Sequence, residues 1–145
     1  MSILKIQTGA KNEFLRKKSE PVKVISKEIV KLAADMKDIV ANEKGLGLAA
    51  PQVGQNIRVI VVQIEKMHIP MINPEITQKS KKTEVCEEGC LSLPGKYLNI
   101  SRACDITVKF LDHKGNEQIL KLSKINARVV QHEIDHLNGV LIVDY

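Results

Sequence analysis

The sequence predicts an α+β fold: mainly antiparallel strands packed around a C-terminal metal-binding helix, with a second helix toward the N-terminus. Three observations carry that prediction. Apolar residues recur at helical spacing between Ile29 and Val40. Ile106, Val108 and Phe110 alternate ahead of a turn, as a half-buried strand requires. The segment Gln131-His132-Glu133-Ile134-Asp135-His136 sets two imidazoles one helical turn apart with a carboxylate between them.

In chain order, Ser26 is placed to cap a helix running to Asn42, because Ile29, Leu32, Ala33, Met36, Ile39 and Val40 share one face. Gly45 stops that helix and opens a run of glycines and small residues, Gly45 to Gly54, carrying one amide, Gln52. Ile57 to Ile64 reads as a buried strand, and His68 beside Ile69-Pro70 marks a loop. Cys86 and Cys104 lie in or beside apolar, strand-like runs and read as small buried hydrophobes. The hairpin pairs Ile106–Phe110 with Glu117–Leu122 across Asp112-His113-Lys114-Gly115-Asn116, with His113 in solvent. After the last helix, Val140-Leu141-Ile142-Val143 reads as a buried strand.

Residues i and i+4 of a helix lie on one face, so His132 and His136 can hold one metal ion while Glu133 reaches a water on it, which predicts metal-assisted hydrolysis. The five-residue pattern also occurs in helices that bind nothing, so the third ligand decides. The extended zinc-protease pattern would place it at Ile142, and no glutamate follows His136 in this sequence. The expected donor therefore lies upstream, among His68, His113, Cys86, Cys90, Cys104 and many carboxylates. Cys90 stands out, because it sits in Glu88-Gly89-Cys90-Leu91-Ser92-Leu93-Pro94, where glycine permits unusual torsions and proline ends regular pairing. The plain alternative is another small buried hydrophobe. In the glycine-rich run Gln52 could donate to a developing oxyanion; neither nucleotide-binding glycine pattern is present.

With these segments assembled, the chain resembles the peptide deformylase family, metallohydrolases that remove the N-terminal formyl group from nascent polypeptides. The resemblance rests on Gly-Leu-Gly-Leu-Ala-Ala-Pro-Gln at 45–52, Glu-Gly-Cys-Leu-Ser-Leu-Pro at 88–94 and Gln-His-Glu-Ile-Asp-His-Leu-Asn-Gly at 131–139, and extends to an opening segment from Ile3-Leu4 through Val22. It implies that Cys90, His132 and His136 are metal ligands and that Glu133 is the general acid/base. It implies that Gln52 and the backbone N–H of Leu91 stabilise the oxyanion, and that Leu46 and Gly47 pair with the substrate main chain. The implied cofactor is one divalent metal ion, Fe(II) as the native ion, with zinc, nickel or cobalt able to occupy the same site. The partners it implies are formylated nascent peptides and, less directly, the ribosome.

A pocket for a methionine side chain is expected from Val129 and Ile125, respectively one and two turns before His132, with Leu46 and Cys86, although the apolar positions also serve to seat the helix. Arg128 is expected to point outward or pair with an acid. Glu88, Arg102 and Asp135 are candidates for a network orienting the ligands, with solvation of Asp135 the plain alternative.

Composition agrees. The 145 residues, 43% hydrophobic, suit one domain spanning 1–145. Three cysteines without paired spacing point to a reducing setting, and no signal peptide or membrane span is apparent, so a cytoplasmic location is expected. A net charge of +5 suggests a basic face suited to an RNA-rich neighbourhood, or simply a solvated lysine surface. Two Phe, two Tyr and no Trp argue against stacking on single-stranded nucleic acid, and no sequence-specific nucleic-acid contact is expected. Many bacterial members of the family continue past a segment like Gly139–Tyr145 into a further helix, so the resemblance leaves ribosome docking through such a helix open. Two rival readings remain: a zinc endopeptidase, which gives no reason for Cys90 in its glycine turn, and a non-catalytic module binding metal or peptide.

Overall fold

The computed structural model describes residues 4–145; Met1, Ser2 and Ile3, where the expected opening segment begins, lie outside the described residues. A five-stranded sheet runs in the order β1 (Gly47–Ala49), β2 (Val59–Ile64), β3 (Met67–Lys79), β6 (Asp105–Leu111), β7 (Glu117–Ser123), antiparallel at every pairing. β4 (Thr83–Cys90) and β5 (Leu93–Ala103) form a separate antiparallel pair. Helices α1 (Glu13–Arg16), α2 (Lys27–Asn42) and α3 (Lys124–Leu137) complete the fold.

The layering follows from β2. Its run Val59-Ile60-Val61-Val62 is buried throughout, and a strand sends successive side chains to opposite faces. Ile60 and Val62 pack with Val130, Ile134 and Leu137 of α3, whereas Val59 and Val61 pack with Met36 and Val40 of α2. A strand apolar on both faces needs a cover on both, and the helices provide it. Each fully buried aliphatic side chain contributes about 1.5–3 kcal/mol relative to exposure. A smaller cluster of Leu15, Leu93, Ile100, Leu141 and Ile142 joins α1, β5 and the C-terminal turn.

The capped helix forms as its sequence predicts. Ser26 Oγ accepts from the Ile29 N–H at 3.4 Å, and the chain leaves the helix through Lys44 in the left-handed region (φ 53°) with the Gly45 N–H on Val40 O. The 106–122 hairpin and exposed His113 are also as read.

Two expectations fail. Residues 140–143 are not a strand: Ile142–Asp144 is a 3₁₀ turn, because the Asp144 carboxylate accepts from the Leu141 N–H and from Arg16, fixing a tight turn. Leu141 and Ile142 are buried there nonetheless, which accounts for the apolar run. His68 and Pro70 belong to β3, not to a loop; that end of β3 pairs with β2 alone, so Pro70 sits where a strand has a free edge.

Candidate functional site

α3 supplies most of the site. Its buried side carries Arg128, Gln131, His132, Glu133 and His136, polar groups that a helix seated only on apolar core would not show. The imidazoles of His132 and His136 stand one turn apart, ring centroids 5.1 Å from each other. Cys90 ends β4 just where the pairing with β5 shifts register after Gly89, an irregularity of the kind that re-aims a side chain. Its Sγ lies 3.3 Å from His136 Nε2, and ligand atoms of Cys90, His132 and His136 all fall within 4.8 Å of one another. A thiolate and two imidazoles at that spacing fit a borderline-soft divalent ion with an open position.

Gln52 enters from the other side, on the buried turn Ala50–Val53 that follows β1. Its Oε1 accepts from the Ala49 N–H at 2.9 Å, which fixes the amide orientation, so Nε2 donates to Ser92 Oγ at 3.1 Å and faces Cys90 Sγ at 3.6 Å. Leu91 follows Cys90 and lines the same cleft. Glu133 is buried, and its Oε1 has no hydrogen-bond partner in the protein. Burial pushes its carboxyl up, against the opposing pull of His132 and Arg102, to about 7. Gly47 makes room for it, since a Cβ there would stand 2.7 Å from Glu133 Oε2.

Behind His132 lies Glu88. Its Oε1 meets His132 Nδ1 at 2.8 Å, while Arg102 donates to both oxygens (Nε to Oε2 at 2.6 Å, Nη2 to Oε1 at 2.9 Å). Burial works against the Glu88 carboxylate, but the bonds from His132 and Arg102 outweigh it and hold the group at about 2. Arg102 Nη1 continues to Asp135 Oδ2 at 2.8 Å. For His132 burial opposes the charged form, yet Glu133, Cys90 and Glu88 together lift it to about 10. The same anionic surroundings would stabilise a divalent cation, which competes with that proton for the ring.

A cleft of about 710 Å³ opens over these groups, large enough for a short peptide. Leu46, Ile125 and Val129, read as pocket candidates, line it together with Gly47; Cys86, read with them, does not, lying half-buried farther along β4 with its thiol 3.8 Å from Glu84 Oε1. Leu46 O is already engaged by the Gln63 N–H at 2.7 Å, so by alternation Gly47 turns its own N–H and C=O to the open edge of β1.

Arg128, expected to point outward or pair with an acid, does the second. It is buried, donating to Glu88 Oε2 at 2.5 Å, Ile100 O at 2.9 Å and Glu84 O at 2.6 Å. Its signal was present: Arg128, His132 and His136 repeat every four residues and must share a face. Ser92 and Tyr145 carry no comparable signal, because their partners are remote in sequence.

Residues 3–145 match the family model described as polypeptide deformylase. A peptide deformylase of Rhizobium meliloti is 42% identical over 136 residues, covering 90% of this chain and 78% of that protein. The crystal structure of peptide deformylase from Thermotoga maritima superposes with a TM-score of 0.95 at 39% identity, covering 99% of this chain and 97% of the other. A structure from Ehrlichia chaffeensis, solved in complex with actinonin, gives a TM-score of 0.96 at 39% identity over 100% of this chain and 89% of its own. Because the match runs from residue 3 to residue 145, it takes in every segment that builds this site, and the chain belongs to the peptide deformylase family of metal-dependent hydrolases.

Proposed function

We propose that this protein removes the N-terminal formyl group from formyl-methionine of nascent polypeptides, releasing formate and a free amine. The observation that supports this most directly is the convergence of Cys90, His132 and His136 beside buried Glu133, at the floor of a cleft edged by β1. A divalent ion held by those three side chains would polarise the formyl carbonyl and make a water more acidic. We assign it as Fe(II), which a thiolate donor suits, with zinc, nickel or cobalt able to take its place.

The chain's own groups account for the remaining requirements. Glu133, with a carboxyl lifted to about 7, is matched to accepting the proton of the attacking water and passing it to the leaving nitrogen near neutral pH. The new C–O bond forms at the formyl carbon as the carbonyl π pair moves onto oxygen, and the C–N bond breaks afterwards, when the nitrogen takes the proton from Glu133. Negative charge builds meanwhile on the carbonyl oxygen, where Gln52 Nε2 and the Leu91 N–H would donate; one such donor is worth about 3–4 kcal/mol in the barrier. The open edge of β1 at Gly47 would hold the peptide main chain as an added strand, and Leu46, Ile125 and Val129 offer an apolar wall to the first side chain. Arg102 and Arg128 fix Glu88, and Glu88 fixes the His132 ring.

This reading implies a cytoplasmic enzyme meeting chains as they leave the ribosome. No described helix is long and apolar enough to cross a membrane. The test is formate release from a formyl-Met-Ala peptide by protein purified anaerobically with its metal, beside Glu133→Ala and Cys90→Ser. Release by wild type, lost in both variants, is expected. Absence of release, or cleavage of internal peptide bonds instead, would overturn it.

A further inference from the structure

Tyr145 lies at the end of the turn Ile142–Asp144, far from the cleft in sequence and more than half exposed, yet its polar atom is fully used. The hydroxyl donates to Asp135 Oδ2 at 2.5 Å and accepts from Arg102 Nη1 at 3.2 Å, while Arg102 Nη1 donates to that same Asp135 oxygen at 2.8 Å. The three groups close a ring of hydrogen bonds, and the Arg102 guanidinium carbon stands 5.0 Å from the centroid of the Tyr145 ring. The turn presenting Tyr145 is itself anchored, because Asp144 accepts from Arg16 Nη1 at 2.6 Å and Nη2 at 3.1 Å and from the Leu141 N–H at 2.9 Å.

We infer that Tyr145 is a positioning residue for the metal centre, its hydroxyl locking the outer arm of Arg102 so that the inner arms hold Glu88 and, through it, the His132 ring. The inference rests on the reading of Cys90, His132 and His136 as ligands. The physical argument is the rigidity of a fork. Arg102 presents its donors in one plane, with Nε and Nη2 on Glu88 and Nη1 directed the other way. Among the described residues Asp135 is the only carboxylate bonded to that outer nitrogen, and it is partly open to solvent. Without the tyrosine hydroxyl Asp135 can turn toward water. The guanidinium then pivots about Glu88, carrying the Glu88 oxygen that meets His132 Nδ1 at 2.8 Å.

Groups bonded directly to metal-ligating histidines typically change metal affinity about 10- to 100-fold when removed, and Tyr145 acts two bonds farther out, so a smaller effect of about three- to tenfold is expected. The test uses cobalt(II)-loaded protein, wild type against Tyr145→Phe and Tyr145→Ala. The readouts are the rate of cobalt loss to excess EDTA, the cobalt–thiolate absorption, and the melting temperature of the metal-stripped chain.

Both variants should lose cobalt about three- to tenfold faster, with a shifted absorption band and an unchanged melting temperature of the stripped chain. Tyr145→Phe keeps the ring and loses only the hydroxyl, so a wild-type loss rate in that variant would overturn the inference. Faster loss matched by a lower melting temperature of the stripped chain would overturn it too, since the residue would then be merely structural. Wild type that takes up no cobalt would overturn the ligand assignment and this inference with it. Normal loading with equal loss rates would overturn the Tyr145 role alone.

Discussion

Replacing Gly47 by alanine tests how tightly Glu133 is held. Gly47 sits in β1 with ordinary strand torsions, so the added methyl costs little in backbone conformation. Its obstacle is steric: the new Cβ would lie 2.7 Å from Glu133 Oε2, 2.9 Å from Cγ and 3.1 Å from Cδ. To regain an ordinary 3.4 Å contact the carboxylate must retreat by about 0.7 Å, the difference between that value and 2.7 Å. A surface glutamate would swing away at no cost, but Glu133 is only 4% exposed and its helix is fixed in the core by Val130, Ile134 and Leu137. Misplacing a reacting group by 1 Å costs on the order of 10²-fold, so a shift of this size should lower kcat about 10- to 100-fold, or about 1.4–2.7 kcal/mol. Cys90, His132 and His136 are untouched, so bound metal per chain should match wild type. The assay is formate release under saturating formyl-peptide, with metal analysis on the same samples. A wild-type kcat with wild-type metal content would refute the claim that Gly47 is a glycine for the sake of the base.

Further outcomes follow from other contacts. Gln52→Ala should lower kcat about 10²- to 10³-fold while metal content stays unchanged, because the donor at the oxyanion is lost while Cys90, His132 and His136 all remain; steady-state kinetics with metal analysis checks it. Arg128→Leu leaves Glu88 on one arginine and strands Ile100 O and Glu84 O, so urea denaturation should show a loss of about 3–5 kcal/mol. Ser26→Ala removes the cap of α2 and should cost about 1 kcal/mol with kcat unchanged, which separates stability from catalysis.

How much of this was legible in the sequence depends on the distance over which each interaction acts. α2 was readable from Ser26 and its apolar face, because capping and helical periodicity are local. The hairpin of β6 and β7 was readable for the same reason. The strand expected at 140–143 failed where a short apolar run met a side chain, Asp144, that bonds its own backbone and Arg16 from the opposite end of the chain. The site divides in the same way. Spacing offered His132, Glu133 and His136 as candidates, the glycine turn singled out Cys90, and the resemblance assigned the roles of all four. Gly47 was read for its backbone, but its nearness to Glu133 is a tertiary fact. For Arg128 an outward place and an acid partner were both open; the four-residue spacing it shares with the histidines favours the second, and the structure shows it.

The charges around Glu88 pose a separate question of purpose. Burying Arg102, Arg128 and Glu88 together is a poor route to stability, since ion pairs withdrawn from water are often no better than apolar side chains of similar volume. What the cluster provides is orientation. An apolar neighbour would leave the His132 ring free to turn about its bond to Cβ, whereas a carboxylate gripped by two arginines fixes both its tilt and the nitrogen that faces away from Glu88. The placement of the arginines supports this. Arg102 comes from β5 and Arg128 from α3, so Glu88 on β4 is held from a strand and from the helix bearing the histidines. Relative motion of the small sheet and α3 would have to break those bonds first. Cys90, two residues after Glu88 on the same strand, is thereby kept in register with His136, and the cluster acts as the clamp between the two halves of the donor set.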